Sequence, residues 1–309
     1  MDLRQLSTLV AIADHGSFSA AARALYTVQS NVSGHVARLE RELGVTLVDR
    51  QRGELTDEGA IVVERARRVL REMEEITADL ASRGEEVHGD SRVGSIGTTA
   101  RWLLPRLLDS LAATHPGVHM TIHEGSTTIL LSRLVAGHID GAVVHLPIED
   151  PELEVVPLFS EDLVLVVPTG HALDRRGKLT LNDIADVPLL LPPRGTALRR
   201  VIDRAASAAG TELIAQAEID GVRLLASLAF EGHGAAILPA TAVPNWLEGA
   251  FSRVAVPQLP RRSIGWAQRR RPAPGAPTRA VFEALRDVIA TTGQRLPGVH
   301  LDRVDPRPA

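Results

Sequence analysis

Residues 17–44, SFSAAARALYTVQSNVSGHVARLERELG, decide how the N-terminal region folds. They predict two short helices with a tight turn between them, and Ser17 is a suitable N-cap for the first. A preceding apolar helix ends at His15-Gly16. The pattern predicts a helix-turn-helix, in which the last helix enters the major groove of DNA. That helix repeats apolar residues at helical spacing, which predicts one buried stripe: Val32, Val36, Leu39 and Leu43.

Candidate DNA contacts lie on the opposite side of this helix. Gln29, Ser30 and Ser33 offer short donors and acceptors near its N-terminus, and Gln can pair bidentately with adenine. The alternative is that they only cap and solvate the helix start. Gly34 either lets the backbone approach the duplex or is only tolerated, and His35 either contacts a phosphate or packs. The predicted DNA-binding residues of this helix are Gln29, Ser30, Ser33, Gly34, His35 and Arg38.

Residues 47–56, LVDRQRGELT, predict a short β-hairpin with a polar tip that contains Gly. A hairpin that follows a helix-turn-helix would act as a wing. We expect Arg50 and Arg52 at its tip to contact the DNA backbone or the minor groove. A solvated tip is the alternative.

A long helix is predicted from residue 58 to about residue 83, where there is no Pro and one Gly. Its apolar residues alternate spacings of four and three, which is a heptad seam: Val62, Ala66, Val69, Met73, Ile76 and Leu80. The seam predicts a partner helix and a symmetric dimer, and packing on the chain's own body is the alternative. Residues 1–57 hold six Arg against seven acidic residues, so one copy should bind DNA weakly. Several subunits on one site would offset this weakness.

Composition limits the remaining possibilities. The 309 residues are 44% hydrophobic and 23% charged, which is enough for two or three compact units. No apolar run suits a membrane span and no signal-peptide order is seen, so we expect no membrane partner and a cytoplasmic location. The absence of cysteine excludes disulfides, thiolate metal sites and thiol redox sensing. The net charge of -4 argues mildly against a DNA-binding protein.

A polar stretch at residues 82–90 predicts a hinge, and strands and helices alternate after it. The first run has strands at 93–96, 118–123 and 141–144 and helices at 100–113 and 128–136. This order predicts a parallel sheet with helices on both faces. The second run has strands at 163–167, 189–191, 214–219, 235–238 and 263–268 and helices at 197–209, 222–230 and 278–289. Two α/β lobes with a cleft between them are the simplest account.

Small polar residues end several of these strands, where ligands collect in open α/β sheets. Hydroxyls near helix N-termini, together with an Arg, suggest a small anionic or polar ligand. The alternative is ordinary N-capping, which explains each hydroxyl by itself. The predicted effector-binding residues are Thr98, Thr99, Ser126, Thr127, His145, Arg194, Thr196 and His233.

Other signals are weak. His119 and His123 lie on a predicted strand, about 13 Å apart, and cannot chelate one ion together. There is no Walker loop, dinucleotide fingerprint or nucleophile elbow, so neither a cofactor nor a catalytic constellation is predicted. Arg261-Arg262 and Arg269-Arg-Arg271 are expected to be solvated strand edges.

Several motifs together resemble LysR-type transcriptional regulators, nearly from end to end: Phe18-Ser-Ala-Ala-Ala, Gln29-Ser-Asn-Val-Ser, Leu39-Glu-Arg-Glu-Leu-Gly, Leu55-Thr-Asp-Glu-Gly, Leu103-Leu-Pro, His115-Pro-Gly-Val and Gly232-His-Gly-Ala-Ala-Ile-Leu-Pro. The resemblance implies a winged helix-turn-helix, a dimerising linker helix, and an effector domain of the periplasmic-binding-protein type. It also implies a homotetramer, a ligand between the lobes, and promoter bending that the ligand alters.

We therefore expect an α/β protein with an all-α winged helix-turn-helix at its N-terminus. The predicted domains are 1–58 for DNA binding, 59–88 for the linker helix and hinge, and 89–309 for effector binding. Lobe 1 would span about 91–162 and 269–300, and lobe 2 about 163–268. The expected function is that of a regulator, not an enzyme, which binds a dyad-symmetric promoter site and responds to a small polar or anionic effector. Its expected partners are double-stranded promoter DNA, the effector, further copies of itself and RNA polymerase. The alternatives are a solute-binding protein without a DNA role and, third, a small-molecule enzyme.

Overall fold

The computed structural model describes residues 1–50, 52–81, 86–174, 177–243 and 249–301, and the structural statements below concern these residues. They form two compact units. The first contains the described residues up to 81 together with 136–138, and the second contains those of 86–135 and 139–301. The predicted end of the linker helix near 83, and residues 82–85 of the predicted hinge, lie outside the described residues.

The first unit is a helix-turn-helix with a wing. Its elements are α1 (Leu3–His15), α2 (Phe18–Ala24), α3 (Gln29–Leu43), β1 (Val48–Asp49), β2 (Glu54–Leu55) and α4 (Asp57–Ala81). Ser17 caps α2 as predicted, because its hydroxyl accepts from the amide of Ala20 at 3.2 Å. α1 ends at Gly16, whose φ of 72° suits a left-handed C-cap.

The core of this unit contains most of the predicted stripe of α3. Val32, Val36 and Leu39 are completely buried against α1 and α2. The prediction is wrong for Leu43, which is 39% exposed because α3 ends there at the left-handed Gly44. β1 and β2 pair antiparallel, so the predicted hairpin is present.

Lobe 1 of the second unit is built on a six-stranded sheet with the order β13-β6-β12-β5-β3-β4. Its strands are β3 (Gly89–Ser95), β4 (Val118–Glu124), β5 (Gly141–His145), β6 (Leu153–Glu161), β12 (Arg262–Arg269) and β13 (Val299–His300). Its helices are α5 (Gly97–Thr114), α6 (Thr127–Val135) and α9 (Ala276–Thr292). The predicted parallel arrangement holds for β3, β4 and β5, but β6, β12 and β13 pair antiparallel and make the sheet mixed.

Lobe 2 has a five-stranded sheet with the order β11-β7-β10-β8-β9. Its strands are β7 (Leu163–Pro168), β8 (Leu189–Leu191), β9 (Ala215–Glu218), β10 (Ala235–Pro239) and β11 (Phe251–Ala255), and its helices are α7 (Ala197–Ala208) and α8 (Val222–Phe230). The predicted lobe boundary at 268 is wrong. β12 pairs with β5 and β6, so the segment 262–269 belongs to lobe 1.

The chain therefore passes between the lobes at two neighbouring places. The first crossover follows β6 at Asp162, and the second runs from β11 to β12 through residues 256–261. Each lobe has its own apolar core, centred on Phe159 and Trp266 in lobe 1 and on Leu165 and Ile237 in lobe 2. The cleft between two separately packed lobes is the place where a ligand can bind.

Candidate functional site

The exposed face of α3 presents the predicted DNA-binding residues. Gln29, Ser30 and Arg38 are exposed, and Ser33, Gly34 and His35 are half-buried. The helix starts at Val28, which makes no side-chain cap bond. The side-chain oxygen of Gln29 accepts from the hydroxyl of Ser19 at 2.9 Å, which fixes the amide at the helix start. The surface therefore offers polar groups and backbone amides at the helix N-terminus, where major-groove contacts are usual.

Gly34 and His35 occupy the middle of this face. A Cβ placed on Gly34 would meet no atom within 4 Å, so no contact inside the unit requires glycine there. The guanidinium of Arg38 donates to the carbonyl of Gly34 at 3.2 Å, and its Nη2 lies 3.4 Å from Nδ1 of His35. The predicted DNA contacts of these residues stay predictions.

The two wing arginines have different surroundings. Arg50 turns back towards α3: its guanidinium donates to the hydroxyl of Ser33 and to the carboxylate of Glu40, each at 3.3 Å. Glu40 also accepts from the amide of Leu47 at 2.9 Å, which fastens the wing to α3. Arg52 points outward, with 77% of its side chain exposed and Asp49 at 3.9 Å. No sequence pattern indicates the Glu40 contact, which joins two elements across a turn.

The predicted heptad seam divides into two parts along α4. Ala66 is buried in the core of the first unit and Val62 packs against the same core, so this end of the seam packs on the chain's own body. Val69 is 45% exposed and Leu80 is 60% exposed, with Met73 and Ile76 between these values. The apolar residues available to a partner helix are therefore those of the second half: Val69, Met73, Ile76 and Leu80.

Between the two lobes lies a cavity of 390 Å³, which we call the inner cavity. It brings together five of the predicted effector-binding residues: Thr98, Ser126, Thr127, His145 and Thr196. Their hydroxyls also have structural bonds. Thr196 caps α7 by accepting from the amide of Arg199 at 3.3 Å, and Ser126 accepts from the amide of Ile129 at 3.4 Å, so the capping alternative holds for both. The hydroxyl of Thr127 accepts from the amide of His145 at 3.1 Å.

Three predicted effector-binding residues line neither the inner cavity nor its neighbour described below. Thr99 is completely buried because it faces the interior from the first turn of α5. Arg194 has 79% of its side chain exposed, near Glu218, and His233 is exposed beside Glu231. Their role in effector binding stays a prediction. The loops turn the side chains of Arg194 and His233 to the surface, whereas Thr99 faces the lobe interior.

A buried ion pair that the sequence did not reveal supports the inner cavity. Arg262 is 4% exposed and donates to Glu161 at 2.7 Å and to the hydroxyl of Thr98 at 2.7 Å. Glu161 also accepts from the amide of Thr241 in lobe 2 at 2.8 Å. The expectation of solvated edges is thus wrong for Arg262, and also for Arg269, which is 6% exposed and donates to the carbonyls of Leu134 and Ile139.

His145 is the most perturbed group of the cleft. It is 7% exposed, and its Nε2 atom has no hydrogen-bond partner among the described residues. Burial, followed by the charges of Arg262 and Arg200, lowers the pKa of His145 to about 3. The imidazole is therefore neutral at physiological pH and keeps one unused hydrogen-bonding nitrogen.

An ion pair between the lobes lines the inner cavity. Glu124 at the end of β4 pairs with Arg223 on α8. This pair passes over Gly97, where a Cβ would lie 2.4 Å from a carboxylate oxygen of Glu124. A second cavity of 900 Å³, the outer cavity, shares four lining residues with the inner one: Thr127, His145, Ala197 and Arg262.

The described residues contain neither a candidate metal site nor a helix that could span a membrane. No group of three or more His, Cys, Asp or Glu side chains could hold a metal ion. None of the described helices is both long and apolar enough to cross a membrane.

Comparison with known proteins identifies the class of protein to which this fold belongs. Residues 3–60 match the family described as bacterial regulatory helix-turn-helix protein, lysR family, and residues 84–290 match the LysR substrate binding domain. The chain therefore belongs to the LysR family of DNA-binding transcriptional regulators. This confirms the family and the fold class predicted from the sequence.

Individual relatives agree over the whole chain. The DNA-binding transcriptional dual regulator OxyR of Escherichia coli K12 is 32% identical over 308 residues, 98% of each chain. A probable hydrogen peroxide-inducible genes activator of Mycobacterium leprae is 31% identical, over 93% of this chain and 94% of the relative. Both are named as regulators rather than enzymes.

Two solved structures are similar in fold. A full-length OxyR variant from Pseudomonas aeruginosa has a TM-score of 0.76 at 25% identity and covers 98% of this chain and 99% of its own. Full-length CbnR complexed with its target DNA has a TM-score of 0.69 at 28% identity and covers 93% of this chain and 100% of its own.

Proposed function

We propose that this protein is a ligand-responsive regulator that binds a dyad-symmetric promoter site and changes transcription when a small polar or anionic effector binds between its lobes. The observation that carries the proposal is the presence, in one LysR-family chain, of a helix-turn-helix and of an inter-lobe cavity containing a buried neutral His145 with a free nitrogen. A buried polar atom without a partner is costly and is expected to have a ligand.

On the DNA side, Gln29, Ser30, Ser33 and Arg38 are the proposed contacts of α3. Arg52 is the proposed wing contact, because its side chain is 77% exposed and points outward beside Asp49. Arg50 instead positions the wing through Ser33 and Glu40.

The domains follow from the same division of the chain. We assign DNA binding to 1–58, the linker helix and hinge to 59–88, and effector binding to the remainder. The exposed apolar half of α4 is the proposed dimer contact, since Val69, Met73, Ile76 and Leu80 would otherwise remain in water. Two dimers on one promoter would form the tetramer that we expect.

The name of the Mycobacterium leprae relative raises the question of hydrogen peroxide. This chain has no cysteine, so no thiol on it can be oxidised by peroxide. We therefore infer that it responds by reversible binding of an effector and not by oxidation of a thiol.

The DNA role is tested by a gel mobility shift with the DNA upstream of the chain's own gene. We expect a salt-sensitive, sequence-preferring shift. Gln29→Ala should weaken binding to that DNA by about 1–3 kcal/mol and leave binding to unrelated DNA nearly unchanged. The matched control is Gln294→Ala, at an exposed glutamine of the second unit, which should behave as wild type. Absence of any sequence-preferring shift, with or without small molecules, would refute the proposal.

A further inference from the structure

The inner and outer cavities adjoin each other. They share Thr127, His145, Ala197 and Arg262, and His145 stands at the junction with its free Nε2 atom. The outer cavity is the larger of the two, with a volume of 900 Å³ against 390 Å³. A ligand held by the hydroxyls of the inner cavity alone would leave this larger space and its side chains unused.

The outer cavity has two arginines available for a ligand. Arg200 and Arg204 are exposed, lie four residues apart on α7, and both line the cavity. Within the described residues neither pairs with a carboxylate, and the one bond of Arg200 goes to the carbonyl of Gly195. Arg199 on the same helix differs, because Asp203 and Glu218 neutralise it.

The other two arginines of the outer cavity are already paired. Arg261 pairs with Asp162 at 2.9 Å, and Arg262 pairs with Glu161. Glu149 and Asp150 also line the cavity, on the segment after β5. Asp150 already accepts from the amide of Glu152 at 2.9 Å. The charge that remains for a ligand on the α7 wall is therefore positive.

The same cavity has apolar surface beside these arginines. Val201 and Ala205 lie on the α7 wall, and Leu131 and Ile148 come from lobe 1. All four are partly buried, so a ligand could cover what remains exposed.

From this arrangement, and resting on the proposed function, we propose that the effector is an amphipathic carboxylic acid bound in the outer cavity. Its carboxylate accepts hydrogen bonds from Arg200 and Arg204, and its apolar body packs between Val201 and Ile148. A second polar group of the ligand hydrogen-bonds to Nε2 of His145. Arg–carboxylate contacts of this kind are charge-assisted and therefore specific for the ionised acid.

The test is calorimetry on the full-length protein with 3-phenylpropanoate, its amide 3-phenylpropanamide, and acetate as probes. We expect the acid to bind about tenfold more tightly than the amide, because only the acid is charged. Acetate, which lacks the apolar body, should bind at least about tenfold more weakly than the phenyl acid. The double variant Arg200→Gln, Arg204→Gln should lose the preference for acid over amide. The control Arg194→Gln removes an exposed charge outside both cavities and should keep it.

The contact with His145 is tested with 3-phenyllactate, which adds one hydroxyl to the acid. Wild type should bind phenyllactate several-fold more tightly than phenylpropanoate, and His145→Phe should remove this gain while keeping the preference for acid over amide. An unchanged gain in His145→Phe would overturn the His145 contact.

Three results would overturn the assignment of the acid. They are no binding of phenylpropanoate at millimolar concentration, equal binding of acid and amide, or an acid preference that survives in the arginine double variant. The last result would mean that Arg200 and Arg204 do not bind the acid and serve only to pair with Glu149 and Asp150 when the lobes close. None of these measurements involves DNA, so their failure is separate from a failure of the promoter shift that tests the proposed function.

Discussion

The low pKa of His145 predicts how the stability of the second unit depends on pH. The group has an ordinary pKa of 6.5 when unfolded and about 3 in the folded protein. Because the folded pKa is depressed, the unfolded chain binds a proton first as the pH falls, and the folded state loses stability below pH 6.5. In this range each unit by which the pH falls lowers the free energy of unfolding by about 1.4 kcal/mol. At about pH 5 the loss due to His145 is therefore about 2 kcal/mol.

The assay is urea unfolding of wild type and of His145→Asn, followed by tryptophan fluorescence, at about pH 7.5 and about pH 5. Trp102 and Trp266 lie in the core of lobe 1 and report its unfolding. The fall in the free energy of unfolding between the two pH values should be smaller in His145→Asn by about 2 kcal/mol. His119→Asn, which removes a largely exposed imidazole, is the matched control and should keep the wild-type fall. Equal pH dependence in wild type and His145→Asn would refute the reasoning.

Three further predictions concern the other sites. Gly34→Ala should raise the free energy of unfolding of the first unit by about 1 kcal/mol, since no atom obstructs the new methyl group. A gel shift with the same variant tests whether Gly34 lets the backbone approach the DNA. Weaker operator binding supports that role, and unchanged binding contradicts it. Arg262→Met should lower the free energy of unfolding of the second unit by about 3–5 kcal/mol in urea unfolding, because Glu161 stays buried without its partner. The double variant with Glu161→Gln should recover much of this lost free energy. No recovery would count against the pairing of Arg262 with Glu161. Met73→Glu together with Ile76→Glu should produce monomers in sedimentation experiments, and dimers that persist at low micromolar concentration would exclude α4 as the dimer contact.

Local patterns were read reliably from the sequence. The helix at 222–230 was predicted with its observed bounds, and Ser17 caps α2 as expected. Both depend on residues close together in the chain, where spacing and capping chemistry carry the information.

Non-local features could not be read in the same way. The strand at 263–268 was recognised but assigned to the wrong lobe, since sheet membership depends on pairing with residues more than one hundred positions away. The strand β6 was missed, and Pro157 within it obscures the signal. Ala66 has the spacing of a dimer seam but is buried against α1. The same apolar spacing suits packing against a partner helix and packing against the chain's own body, so spacing alone could not separate the two.

The candidate site shows the same division. Hydroxyls at strand ends were found from the sequence, but the burial of Arg262 depends on Glu161, a residue 101 positions away. The exposure of Arg194 and His233 depends on how their loops turn, which no spacing rule reports.

The pairing of Glu161 with Arg262 also limits how this sequence can change over time. The two residues stand at the two places where the chain crosses between lobes, and each is nearly or completely enclosed. Loss of either charge alone leaves the other enclosed without a counter-ion, so single changes at these positions should be removed by selection. A substitution at one position is therefore expected to survive only after, or together with, a compensating substitution at the other.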